Sequence, residues 1–141
     1  MSVYLDANVL FALLVRNDAL HAQAYSILNV SDLDAIVSDF ARAEFASVVA
    51  RQVRNGRIER TEARDLFGLF DSWVEAKTGH IVLSPGDVLA AESLLRRLDL
   101  NLRTPDALHL AMVLRLGADL VTFDKALWDC ARILKIPVVS A

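Results

Sequence analysis

The stretch SVYLDANVLFALL, Ser2 to Leu14, carries a short apolar run, Val3-Tyr4-Leu5, that stops at Asp6; apart from Asn8 the chain is then apolar again to Val15. The first run has the make-up of a strand and the second that of a helix. A carboxylate and an amide thus stand at the point where one element gives way to the other. In an all-apolar setting that placement needs a reason, since an ionised carboxylate taken from water needs a partner.

The same alternation continues along the chain. Strands are predicted near 2–5, 35–38, 80–83, 119–122 and 138–139. Helices are predicted at about 7–15, 19–28, 40–54, 61–76, 85–98, 105–116 and 125–134. Local signals mark several boundaries. Asn55-Gly56 suits a helix C-terminus, because both residues tolerate the left-handed conformation. Ser84-Pro85-Gly86-Asp87 resembles a capping box with proline at the first helical position, and Thr104-Pro105 is expected to open the next helix in the same way, with Thr104 as its cap. Strands alternating with helices imply an α/β fold: a central parallel sheet of about five strands, covered on both faces. Residues 1–141 read as a single domain, without repeat, low-complexity tract or linker. Between the second and third strands lie two long helical segments, a helical hairpin at about 40–77. Leu66, Phe67, Phe70, Trp73 and Val74 have helical apolar spacing there and suit either core packing or a dimer contact.

Composition bounds the classes. Of 141 residues, 55 % are hydrophobic, which is ample for one core. No apolar run reaches the length of a membrane span, and the N-terminus lacks the pattern of a secretory signal, so a cytoplasmic protein is expected. Cys130 is the one cysteine; alone in an apolar segment, it is expected to be a small core residue. The net charge of −3 argues against attachment to nucleic acid through bulk positive charge. Twelve arginines against three lysines give the cations forks suited to phosphates and carboxylates.

Four acids stand out by position. In an open parallel sheet, ligands bind beyond the carboxyl ends of the strands. Asp6 sits at that end of the first strand. LVTFD ends the fourth and brings Thr122 and Asp124 to the same edge. TPDALHLA opens a helix with Asp106 in its first turn, and FARAEFASVVA puts Glu44 about one turn into the helix after the second strand. Each has an ordinary explanation. Asp6 and Asp124 suit N-caps, Asp106 complements a helix dipole, and Glu44 shares a stripe with Ser47, Arg51 and Arg54 that could face water. The setting weakens those explanations, because the strands leading to Asp6 and Asp124 should be central and the helix of Asp106 largely buried. Four carboxylates converging on one edge would repel, two charges 4 Å apart by about 4 kcal/mol at an effective dielectric of 20. Such a cluster requires proton uptake or a bound cation, and oxygen-only ligands favour Mg²⁺ or Mn²⁺.

VYLDANVL, the glutamate in ARAEFAS, then DALHLA and LVTFD, in that order, resemble a PIN domain across essentially the whole chain. The compact length resembles the VapC-type ribonuclease toxins of toxin–antitoxin pairs. The resemblance implies a PIN-like three-layer α/β/α fold and a metal-dependent endoribonuclease. Asp6, Glu44, Asp106 and Asp124 would be its catalytic and metal-holding acids, with Asn8 and Thr122 in support. It also implies Mg²⁺ or Mn²⁺ as cofactor, an RNA substrate, an antitoxin partner whose C-terminal segment occupies the active-site groove, and a homodimer. Arg16, Arg42, Arg51, Arg54 and Arg103 are candidates for contact with RNA or antitoxin. His109, three residues after Asp106, shares its helix face and is expected to be a packed, hydrogen-bonded structural residue, with orienting Asp106 or touching substrate as the alternatives. His21 and His80 have no partners at zinc spacing. Asp18, Asp32, Asp34 and Asp39 fall where turns and caps are expected.

Three other readings compete. One is a PIN-domain nuclease of RNA processing or decay outside any toxin pair. Another is a phosphatase or receiver on a similar sheet, weakened because Asn8 stands where haloacid-dehalogenase-like enzymes want a second aspartate. The last is a non-catalytic binding domain, which gives the buried acids no purpose.

Overall fold

A computed structural model describes residues 1–29 and 33–139; Asp32 lies outside them. The described residues form an α/β fold whose central sheet has five parallel strands, in the order β3-β2-β1-β4-β5, with seven helices around it. The strands are β1 Ser2–Leu5, β2 Asp34–Ser38, β3 Thr78–Ile81, β4 Asp119–Val121 and β5 Val138–Val139. The helices are α1 Ala7–Leu14, α2 His21–Leu28, α3 Asp39–Arg54, α4 Arg60–Lys77, α5 Pro85–Arg96, α6 Thr104–Leu116 and α7 Lys125–Ile133.

Strand alternation builds the three layers. Val3, Leu5, Ala35, Val37 and Val121 face one side, where residues of α1 to α4 complete a core around Phe45. Tyr4, Ile36 and Leu120 face the other, packed with residues of α5, α6 and α7. A period of two thus sends neighbouring strand residues into different cores. The register sets Tyr4 between Ile36 and Leu120, and Leu5 beside Val121. Phe45, Phe67, Phe70, Trp73, Val74 and Leu66 all belong to the first core, so the apolar spacing of α4 reports internal packing. Cys130 is buried in the second core, as its apolar surroundings suggested.

Most boundaries shift by a residue or two from expectation, and three of the shifts have a clear local cause. The third strand is Thr78–Ile81, not 80–83. It lies at the sheet edge, where a strand needs no apolar side chains, and the apolar run 81–83 extends past it; Val82 is exposed. The second helix starts at His21, because Asp18 holds the preceding turn: its carbonyl accepts the His21 N–H and its carboxylate the Leu20 N–H. The sixth helix includes Thr104 as its first residue, and its cap is Arg103. The capping box at Ser84 and Asp87 forms as expected. At the end of α3 only Gly56 is left-handed, with φ +71°, while Asn55 keeps φ −84°.

The chain runs from β1 outward to β2 and β3, then returns to the other side of β1 to lay down β4 and β5. The order therefore reverses between β1 and β4. Crevices at such reversals, beyond the carboxyl ends of the strands, are where open parallel sheets bind ligands.

Candidate active site

At that reversal lies a cavity of about 240 Å³ lined by Asp6, Asn8, Glu44, Asp106 and Asp124 together with Ser47, Arg51 and His109. The four acids come from four distant stretches of sequence. Each reaches the cavity because a helix begins beside it or passes over it.

Asp6 follows β1 directly and is the N-cap of α1; its Oδ1 accepts the Val9 N–H at 3.0 Å. Its Oδ2 accepts the hydroxyl of Thr122, the residue after β4. Thr122 Oγ1 in turn accepts the Asp124 N–H at 3.1 Å, which stitches the ends of β1 and β4 together. Asp124 is the N-cap of α7, with Oδ1 on the Leu127 N–H at 2.9 Å. Asp106 lies in the first turn of α6, and its carboxylate reaches back toward the Arg103 N–H. Three helix N-termini thus open onto the cavity, and their partial positive charge favours carboxylates there. The cap explanation is correct for Asp6 and Asp124, and it coexists with a shared site.

Glu44 comes from the opposite layer, on α3. That helix starts at Ser38, whose Oγ accepts the Ala41 N–H at 3.0 Å. The stripe of Glu44, Ser47 and Arg51 lines the cavity, so it does not simply face water. The Glu44 carboxylate bonds Nε2 of His109. His109 therefore orients Glu44, not Asp106. The imidazole is 3 % exposed, and its Nδ1 lies 2.7 Å from the Tyr4 hydroxyl, which lies 2.7 Å from Ser38 Oγ. Phe40 and Tyr4 meet the ring edge-on. Tyr4 and Ser38 were not among the sequence candidates, because contacts between residues 34 and 105 positions apart leave no local pattern.

The electrostatics follow from burial. Asp6 is 5 % exposed. Its pKa is raised above the ordinary carboxylate value, chiefly by desolvation and further by the charge of Glu44, against the pull of Thr122, Val9 and His109. Asp106 is also raised, first by burial and then by the charges of Asp124 and Glu44. Burial likewise pushes the Tyr4 phenol well above its usual range, so it stays a donor. Among the described residues, no ion pair involves Asp6, Asp106 or Asp124.

The donor set, four carboxylates and an amide, suits a hard divalent cation in kind. Among the described residues, no three His, Cys, Asp or Glu groups stand together closely enough to hold an ion as they are. Asp6 has both oxygens engaged and Asp124 and Glu44 one each, so loading an ion would draw in the remaining oxygens. Of the arginine candidates, Arg51 lines the cavity. Arg42 pairs with Asp71 and lies over the Phe70 ring. Arg54 lines a separate groove with Arg60 and Arg64, Arg103 supplies its backbone to Asp106, and Arg16 is not in the lining. The other early aspartates hold backbone or surface partners, Asp39 accepting Leu83 N–H and Asp34 the Ser2 hydroxyl. Among the described residues, no helix is long and apolar enough to cross a membrane.

The family model of the PIN domain matches residues 3–133. Among solved structures, VapC20 of Mycobacterium tuberculosis, described as a sarcin-ricin loop cleaving toxin, is 16 % identical, with a TM-score of 0.75 over 99 % of each chain. VapBC2 of Rickettsia felis, solved on a fragment of its promoter DNA, is 16 % identical, with a TM-score of 0.71 over 99 % of this chain and 98 % of that one. VapBC-1 of nontypeable Haemophilus influenzae is 15 % identical, with a TM-score of 0.66 over the same shares. At such identities the likeness establishes the fold. Comparison with curated proteins finds no match.

Proposed function

The chain belongs to the PIN domain family, and from that premise we propose that it is a Mg²⁺- or Mn²⁺-dependent endoribonuclease, the toxin of a toxin–antitoxin pair. The observation that carries the reading is the meeting of Asp6, Glu44, Asp106 and Asp124 around one cavity, three of them without a cationic partner among the described residues. Such a set is strained without a divalent ion and suited to one.

Asp6, Glu44, Asp106 and Asp124 would hold the cation, and Asn8 lies beside them to orient a carboxylate or a water. When bound, the ion lowers the pKa of its water and offsets charge growing on the phosphoryl oxygens. The chain's part is to fix the acids: Val9 N–H and Thr122 hold Asp6, Leu127 N–H holds Asp124, and His109 holds Glu44. One of the carboxylates accepts the proton of the attacking water. Arg51, at the rim, is placed to take a phosphate of the strand without reading its sequence.

The similar structures include a toxin described as cleaving the sarcin-ricin loop and a toxin–antitoxin complex from Klebsiella pneumoniae, which supports RNA as substrate and an antitoxin as partner here; a second copy of the chain is proposed beside them. The test is cleavage of total RNA by the purified chain with Mg²⁺, with Mn²⁺ and with EDTA, beside Asp6→Asn. Cleavage should require the metal and vanish in the variant. A folded Asp6→Asn protein that cuts RNA as fast as wild type would remove the reading, as would wild-type cleavage undiminished by EDTA.

A further inference from the structure

We propose that Ser38, Tyr4 and His109 form a buried positioning chain that fixes the Glu44 carboxylate from the opposite layer of the fold. The inference rests on the nuclease reading for what Glu44 holds, but the chain itself is a matter of hydrogen bonds. Its links run from the end of β2 through β1 and α6 to α3: Ser38 Oγ to Tyr4 hydroxyl at 2.7 Å, Tyr4 hydroxyl to His109 Nδ1 at 2.7 Å, and His109 Nε2 to Glu44 Oε1. Ser38 and Tyr4 are 0 % exposed and do not line the cavity, so neither can touch a substrate or an ion.

Donor roles fix the direction at the functional end. A carboxylate only accepts, so Nε2 carries the proton given to Glu44 whatever the charge of the ring. The ring is clamped at its other nitrogen by Tyr4 and walled by Phe40. This engages Oε1 and leaves Oε2 as the oxygen free for a ligand. Ser38 also caps α3, but stability alone gives the buried Tyr4 hydroxyl and His109 imidazole little reason to exist here. Apolar side chains of similar shape would fill the same space at nearly equal stability, without the risk of an unpaired donor. The chain ends on a cavity carboxylate, and a carboxylate held at one oxygen by a clamped imidazole presents the other in a set orientation. Outer partners of this kind change metal affinity by about 10–100-fold when removed.

The test uses Mn²⁺ as the probe, with free Mn²⁺ read by electron paramagnetic resonance, on wild type, Tyr4→Phe, His109→Leu and His109→Gln, each checked for folding by its melting curve. His109→Leu should raise the Mn²⁺ Kd by about 10–100-fold and Tyr4→Phe by about tenfold. His109→Gln, which keeps an N–H donor, should recover much of the loss. A purely structural role would lower Tm and leave the Kd of the folded protein unchanged. Folded Tyr4→Phe and His109→Leu proteins with wild-type Kd would overturn the positioning proposal and leave the nuclease reading standing. Wild type that binds no Mn²⁺ would overturn the nuclease reading instead. The metal-free protein then decides the chain separately. A downfield His109 ring N–H resonance that disappears in Glu44→Leu and moves in Tyr4→Phe supports it, and one indifferent to both changes overturns it.

Discussion

Asp106→Asn should make the metal-free protein more heat-stable while destroying its proposed activity. Asp106 faces Asp124 and Glu44 across a cavity of about 240 Å³. At a separation of about 8 Å, two facing carboxylates repel by about 2 kcal/mol at an effective dielectric of about 20. Asp106 is partly exposed, and screening reduces the two repulsions to about 2 kcal/mol together. Asparagine removes them and can still accept from the Arg103 N–H. For a chain of 141 residues the gain corresponds to a Tm about 6 °C higher. The pH dependence has a definite sign. Burial and neighbouring charge raise the Asp106 pKa in the folded state, so the native protein binds more protons than the unfolded one between about pH 4 and that raised value. Wild type therefore loses stability as pH rises through the interval, and the variant loses less, keeping only the part due to Asp6. The gap should close near pH 4 and open toward neutrality. Saturating Mn²⁺ should reverse the order, since at 100 times its Kd an ion adds about 2.7 kcal/mol to wild type. The assay is differential scanning calorimetry in EDTA and in excess Mn²⁺ at pH 4 and pH 7.5. A variant melting at or below wild type in EDTA at pH 7.5 would refute the idea of a charge-frustrated cavity.

Other outcomes follow from the packing. Arg115→Met strips the two hydrogen bonds at 2.7 and 2.8 Å that hold Asp87, itself 2 % exposed, and should cost about 2–3 kcal/mol by urea denaturation at neutral pH. Arg115 holds the Asp87 carboxyl below the ordinary carboxylate range, so this stability is present above about pH 4 and lost as pH falls through the lowered value; the variant's acid limb should be flatter. Phe45→Ala removes a fully buried ring stacked on Phe70 at 4.0 Å and should cost about 3–5 kcal/mol by the same method. Ser84→Ala breaks the box that starts α5 and should cost about 1 kcal/mol.

The strands and helices were legible where local chemistry and tertiary demand agree. Val3-Tyr4-Leu5 sits in the middle of the sheet, and Ser84-Pro85 starts a helix, because nothing elsewhere in the fold opposes them. The third strand was displaced because an edge strand is held by backbone pairing with β2, and Thr78-Gly79-His80 carries no apolar signal of that pairing. Thr104 shows the same limit: a hydroxyl before proline reads as a cap, yet the helix takes it in as its first residue and Arg103 becomes the cap. At the site, Asp6, Asp106 and Asp124 were visible because each lies at an element end that the alternation of strands and helices locates, and Glu44 because it lies about one turn into the helix after β2. The link from His109 to Glu44 and the hydroxyls behind it were hidden. They depend on which of two layers Tyr4 and α3 face at one sheet edge, and spacing along a single helix carries no trace of that.

Asp6 and Asp124 each perform two duties, starting a helix and facing the cavity. An alanine scan of this pocket would therefore confuse a frayed scaffold with a silenced reaction. Asparagine, which still accepts a backbone proton, separates the two. Any attempt to redesign the pocket inherits the same bond: its charge can be rewritten residue by residue, but its outline cannot be altered without re-laying the first turns of the helices that frame it.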